Sequence, residues 1–213
     1  YYASRGLGDV YKRQSLTSSF SYDSREPLLL SDEENSDESN SLDSLWNDEY
    51  RLVRVHLNIS GPCNEHCVHC YFPDEYRTKI MSKAQFCSIL DQCIECNVMN
   101  ITLSGGEPML NSNLIYFIDK CRENNFSVNI LSNLTLLTDD MVSVFSKTPL
   151  LSVQTSLYSM DAAIHDSITK VKGSFIKTKH AIEVLREHNV PMQINCPIMK
   201  QNKDTYQTVL DWA

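Results

Sequence analysis

Val53, Val55, Leu57 and Ile59 fall on every second position, the period of a half-buried strand, and Gly61-Pro62 ends the run. Downstream the period lengthens: Phe86, Ile89, Leu90, Cys93 and Ile94 share a helical face behind a capping box of Ser82 and Gln85. Ile101 to Ser104 is predicted as a second strand, stopped by Gly105-Gly106. Leu114, Ile115, Phe117, Ile118 and Cys121 mark a second helix, and Ser127 to Leu131 a third strand. Thr138 opens a third helix, because its hydroxyl accepts backbone N–H bonds and Asp139 and Asp140 suit the positive helix end. A fourth strand runs from Leu150 to Ser156. Ser174 is then expected to cap a helix carrying Ile176, Ala181, Ile182 and Leu185, and Met192 to Met199 is predicted as a fifth strand despite Pro197. Strand followed by helix, repeated four times and starting a fifth, implies an α/β fold of parallel strands with right-handed crossovers. On periodicity alone, an open doubly wound sheet and a partial barrel both remain open.

Upstream of Arg51 no such pattern exists. Residues 15–49 are rich in Ser, Asp, Glu and Asn and read as an acidic, disordered linker that has too little to bury, or alternatively as a docking segment. Residues 1–14 begin with Tyr and contain SRGLGDVYKRQ, which looks like a translated adapter or vector scar. Thr205 to Ala213 reads as the opening turns of an amphipathic helix, so residues 50–213 are expected to be a core that is incomplete at its C-terminal end.

Composition narrows the function classes. The net charge is −8, and eight acids with no Lys or Arg lie between residues 31 and 49, so the remainder is formally neutral. There is no basic footprint for nucleic acid, no Lys/Arg-rich amphipathic helix for a membrane surface and no apolar run of membrane length. A cytoplasmic location is the expectation. Eight cysteines in a chain without a visible secretion signal favour reduced thiols and metal ligation over a disulfide framework.

The chemistry concentrates in Gly61-Pro62-Cys63-Asn64-Glu65-His66-Cys67-Val68-His69-Cys70-Tyr71, where three cysteines are spaced C-x3-C-x2-C directly after the first strand. Three thiolates on one loop can converge on a soft metal centre. Structural zinc wants four ligands, so a zinc module would need His66 or His69 with the three thiols. An iron–sulfur cluster held by three thiolates instead keeps one iron open. Past the second strand comes Leu103-Ser104-Gly105-Gly106-Glu107-Pro108, where glycines permit close backbone approach and a carboxylate stands beside them. Asn133 and Ser156 end the third and fourth strands. The Cys loop, the Glu107 turn, Asn133 and Ser156 therefore share the carboxyl rim of the predicted parallel strands.

These motifs resemble those of the radical S-adenosylmethionine (SAM) enzymes. The resemblance implies a (β/α)6 barrel, here truncated after about five units. It implies a [4Fe-4S] cluster ligated by Cys63, Cys67 and Cys70, with SAM chelated at the open iron. His69 would lie near the adenine, Gly105, Gly106, Glu107 and Pro108 would hold the SAM ammonium group, and Asn133 and Ser156 would add polar contacts. In place of the family's Thr-Asn-Gly after the third strand, this chain has Leu134 where Gly is common. Lys170 and Lys172 stand near a place where Arg is usual. The stretch from Ser156-Leu157-Tyr158 through His165-Asp166 and Gly173-Ser174-Phe175 to Lys200-Gln201-Asn202 is similar to peptide-modifying members, which carry a SPASM extension with auxiliary clusters. The resemblance thus implies reductive cleavage of SAM to a 5′-deoxyadenosyl radical that modifies a ribosomal peptide by a thioether or carbon–carbon crosslink. A flavodoxin or ferredoxin would donate the electron. A truncated member without activity is the alternative. His165-Asp166 reads as structural, as do Cys87, Cys93, Cys96, Cys121 and Cys196.

Overall fold

A computed structural model describes residues 52–213; the adapter-like segment 1–14 and the acidic segment 15–49 lie outside the described residues. Five strands alternate with helices: β1 (Arg54–Ser60), α1 (Lys83–Glu95), β2 (Asn100–Gly105), α2 (Leu114–Glu123), β3 (Ser127–Leu131), α3 (Asp139–Lys147), β4 (Leu151–Ser156), α4 (Ala162–Thr169), α5 (Ser174–Glu187), β5 (Met192–Asn195) and α6 (Gln207–Trp212). All four pairings are parallel and the spatial order is β1-β2-β3-β4-β5. A doubly wound sheet reverses its order at a switch point. Here each strand adds to the same side of the last, which is the winding of a barrel wall.

Alternation along the strands gives the sheet two unlike faces. Leu57, Ile59, Ile101, Leu103, Val128, Ile130, Leu151 and Val153 form one core with Phe86, Phe117, Phe145, Ile182 and Leu185 of the helices. Phe86 and Phe117 stack with ring centroids 4.1 Å apart and are fully buried, so losing either ring to Ala costs about 3–5 kcal/mol. The other face carries amides and hydroxyls: Thr102 stands in register with Asn129, and Asn129 with Ser152, whose hydroxyl donates to the Asn129 amide oxygen at 3.2 Å.

Local signals in the sequence are realised at the helix starts. Ser82 and Gln85 form the expected reciprocal box, and the Thr138 hydroxyl accepts from the Met141 amide. Three elements differ from expectation. Helix α4 has no counterpart among the elements predicted from the sequence; Asp161 caps it by accepting from the Ala163 and Ile164 amides. Ser174 does not cap α5. It is the first residue inside that helix, behind Gly173 at φ 84°, and the cap is Asp166 of α4, which accepts from the Gly173 amide (2.6 Å), the Phe175 amide (2.9 Å) and the Ser174 hydroxyl (3.0 Å). Burial alone would raise the Asp166 carboxyl, but these bonds outweigh it and hold the carboxyl below its ordinary range. Finally, β5 stops at Asn195 rather than Met199, because Pro197 cannot donate to a sheet and Asn202 gathers the chain that follows. Fully buried Asn202 donates to Tyr158 and Pro197 carbonyls at 2.8 and 2.9 Å and accepts from the Met199 amide.

Candidate active site

The Cys loop leaves β1 and is fastened on two sides. On one, the Gly106 amide donates to the Ser60 carbonyl (2.6 Å) and the Glu107 amide to the Pro62 carbonyl (2.8 Å). On the other, the His66 and Val68 amides donate to the Thr169 and Ile168 carbonyls, both at 2.9 Å. Those carbonyls end α4, where no intrahelical donor is available, so the loop satisfies the helix end as the helix positions the loop. The glycines serve this packing. A Cβ on Gly105 (φ 137°) would stand 1.9 Å from the Ser60 oxygen, and one on Gly106 would stand 2.4 Å from the Gly61 and Pro62 oxygens. Their closest neighbours are thus backbone of the loop base.

One cavity at the carboxyl ends of the strands is lined by Cys63, Cys67, Cys70, His69, Gly105, Gly106, Asn133 and Ser156. Glu107 and Pro108 do not line it. The Glu107 side chain is fully buried, with Oε1 accepting from the Met109 amide (3.0 Å) and Ser132 hydroxyl (2.7 Å) and Oε2 from the Asn133 amide (2.8 Å). Burial pushes its carboxyl up to about 6, with the three donors opposing the rise. Glu107 therefore reaches the cavity indirectly, by bracing Ser132 and Asn133, both of which line it. Asn133 in turn donates to Asn64 Oδ1 at 3.0 Å and to Cys63 Sγ at 3.9 Å, tying the β3 rim to the Cys loop. His69 Nε2 lies 3.3 Å from the Tyr158 hydroxyl, and burial lowers the His69 pKa.

Desolvation raises the Cys63 thiol and pushes Cys67 up to about 12, so both are protonated at neutral pH and are not poised as nucleophiles. Among the described residues, no Lys or Arg lines the cavity; Lys170 and Lys172 are not part of its wall, and the remaining cysteines lie outside it too. Among the described residues, no three His, Cys, Asp or Glu side chains gather as ligands of a single metal ion.

Among the described residues, the buried side-chain polar atoms without a partner are Glu65 Oε1, Thr155 Oγ1 and His165 Nε2, and all three residues line this same cavity. Buried polar groups are nearly always satisfied, so three orphans around one space indicate a polar occupant. His165, read from the sequence as structural, thus also faces this cavity. Its Nδ1 accepts from the Tyr158 amide at 3.3 Å, which leaves the hydrogen on Nε2, and burial pushes its pKa down to about 4. His165 is an uncharged donor throughout the physiological range.

Glu65 carries a testable pH signature. Burial pushes its carboxyl up to about 7, against a contact with the Cys67 thiol. Because the folded value lies above the unfolded one, ionisation costs stability as pH rises from about 4.5 through 7. Glu65→Gln is expected to stabilise the chain by up to about 3 kcal/mol at pH 8 and to leave it unchanged near pH 4. Urea titrations of both chains at the two pH values measure this.

Residues 57–213 match the family profile of the Radical SAM superfamily. The chain belongs to that superfamily. It is 28% identical over 170 residues to the sporulation killing factor maturation protein SkfB of Bacillus subtilis, which covers 77% of this chain and 40% of SkfB. To the PqqA peptide cyclase of Gluconobacter oxydans it is 25% identical over 146 residues, 68% of this chain and 41% of that enzyme. The chain thus spans about 40% of the length of these curated relatives. SuiB of Streptococcus suis, solved with SAM bound, shares the fold with a TM-score of 0.68 at 19% identity, over 76% of this chain and 38% of SuiB. SuiB has also been solved bound to its precursor peptide SuiA. The superfamily's cofactors are a [4Fe-4S] cluster and SAM. This radical SAM chain suits them: three thiols stand around one cavity, and separate irons take thiolates from separate directions whereas a lone zinc ion would need them converged.

Proposed function

We propose that Cys63, Cys67 and Cys70 hold a [4Fe-4S] cluster and that the cavity beside them binds SAM as the cofactor of a peptide-modifying enzyme. When bound, the pair supplies reductive cleavage of SAM to a 5′-deoxyadenosyl radical, with the electron coming from a flavodoxin or ferredoxin. The observation that carries this reading is the convergence of four separate rim segments, bearing the three thiols, Gly105-Gly106, Asn133 and Ser156, on a single cavity. In it, the Gly105-Gly106 edge and the Asn133 and Ser156 side chains take the polar end of SAM, while His69 flanks the adenine. Glu107 holds the Ser132-Asn133 corner in place. The peptide substrate, joined by a thioether or carbon–carbon crosslink, is supported by likeness to SkfB and the PqqA cyclase, whose names describe maturation of a killing factor and cyclisation of a peptide. Among the described residues no helix is long and apolar enough to cross a membrane.

Anaerobic reconstitution with iron and sulfide tests the first half. Broad visible absorption, a spectral change on adding SAM, and release of 5′-deoxyadenosine with dithionite are expected. Triple replacement of Cys63, Cys67 and Cys70 by Ala should abolish all three. Retained cluster absorption in the triple variant would refute the ligand assignment.

A further inference from the structure

Each of the three thiols meets a different neighbour, and among the described residues only Cys70 meets a cation. Arg77 donates through Nη2 to Cys70 Sγ at 3.5 Å and to the Phe72 carbonyl at 3.3 Å, while its Nε donates to Asp74 Oδ1 at 2.6 Å. Three bonds thus fix the guanidinium plane over the most exposed of the three cysteines. The backbone fixes it as well. Pro73 starts a 3-10 turn at Asp74–Tyr76, closed by the Arg77 amide on the Asp74 carbonyl at 3.1 Å. Two residues on, the Lys79 carbonyl accepts from the Gly61 amide at 2.6 Å, which clamps this segment to the base of the Cys loop.

The placement is one-sided. A second cavity, on the outer side of the loop, is lined by His66, Cys67, Cys70, Tyr71, Asp74 and Arg77 among others. Cys67 and Cys70 line both cavities, so the loop is the wall between them, and among the described residues Arg77 is the only Lys or Arg lining either. Its counter-ion does not cancel it: the Asp74 side chain is 94% exposed against 32% for Arg77, so solvent screens the carboxylate more than the guanidinium.

We propose that Arg77 is a tuning residue for the cluster, raising its reduction potential by donating to the Cys70 sulfur. This rests on Cys70 being a cluster ligand, as argued above. Reduction adds negative charge to the cluster and its thiolates; a fixed, permanently ionised guanidinium hydrogen-bonded to one sulfur stabilises that reduced form more than the oxidised one.

The test is the midpoint potential of the reconstituted 213-residue chain, followed by its visible and electron-spin spectra during dithionite titration, with Arg77→Met and Arg77→Lys alongside. Arg77→Met should move the potential negative, lowering the reduced-to-oxidised ratio about tenfold at a fixed potential, which is ~59 mV for one electron. Arg77→Lys, which keeps the charge, should recover part of the shift. Equal potentials in wild type and Arg77→Met would overturn the proposal. Should Arg77→Met assemble no cluster, Arg77→Lys decides: a cluster in the lysine variant supports the role of charge at Cys70, and none shows a loop-shaping role that overturns it. A wild-type chain that assembles no cluster would instead sink the parent reading, and this proposal with it.

Discussion

Glu107→Ala is expected to cost about 3 kcal/mol of folding stability at neutral pH, and Glu107→Gln about 1–2 kcal/mol. The alanine variant strips three buried donors of their acceptor at once: the Met109 amide, the Ser132 hydroxyl and the Asn133 amide. Each unsatisfied donor costs about 1–3 kcal/mol, offset in part because a buried carboxylate raised to about 6 is itself costly to ionise. Glutamine removes that cost but turns an NH2 group toward a donor. Oε1 serves two donors and is best kept as the amide oxygen, so the mismatch falls on the Asn133 amide. Urea denaturation gives the energies, and faster hydrogen exchange at the Asn133 and Met109 amides locates the effect. Unchanged exchange at both would mean that the carboxylate does not brace this corner. In the reading proposed above, loosening Asn133 also frees its side chain from Asn64 and Cys63, so cluster retention should fall in parallel.

Most of this architecture is legible in the sequence. The first strand follows from Val55, Leu57 and Ile59 on alternate positions, and the Ser82–Gln85 and Thr138 caps are local chemistry that sequence spacing reports directly. Periodicity could not tell an open sheet from a barrel wall, since strand order is a property of pairing and not of any one strand. The missed α4 shows a different limit. Only eight residues long, it holds its place by capping contacts at Asp161 and by lending its last carbonyls to the Cys loop, a long-range exchange with no local signature. Ser174 does not cap for the same reason: Asp166, eight residues earlier, is better placed to accept the Gly173 and Phe175 amides. At the site, motif spacing found the segments but not the orientation of their side chains. Glu107 turns inward, and the three unpartnered atoms of Glu65, Thr155 and His165 could be recognised only once their burial was known. Ile94 and Ile176, placed on apolar faces by period, are exposed instead.

Gly106→Ala and Gly173→Ala should separate two reasons for glycine in one chain. Gly173 sits at φ 84° with nothing within 4 Å of an added Cβ, so its alanine variant pays only the left-handed conformation, about 1–2 kcal/mol. Gly106 does not have a positive φ, but its Cβ would press to 2.4 Å on two carbonyl oxygens, Gly61 and Pro62. Neither neighbour is a side chain that could rotate away. Relief requires the β2 turn and the Cys-loop base to part, which stretches the Gly106–Ser60 and Glu107–Pro62 hydrogen bonds that hold them together. A loss of about 3 kcal/mol or more is expected, beyond typical overpacking because backbone must move. The two variants should also differ in kind. Gly173→Ala lies at the start of α5 and should leave the thiols where they are, whereas Gly106→Ala displaces the residue preceding Cys63. Labelling of the reduced chain with a thiol reagent reads this out: faster modification of Cys63 in Gly106→Ala and an unchanged rate in Gly173→Ala are expected. Equal stability losses, with Cys63 equally protected in both, would show that the two loops are not locked by backbone contact at Gly106.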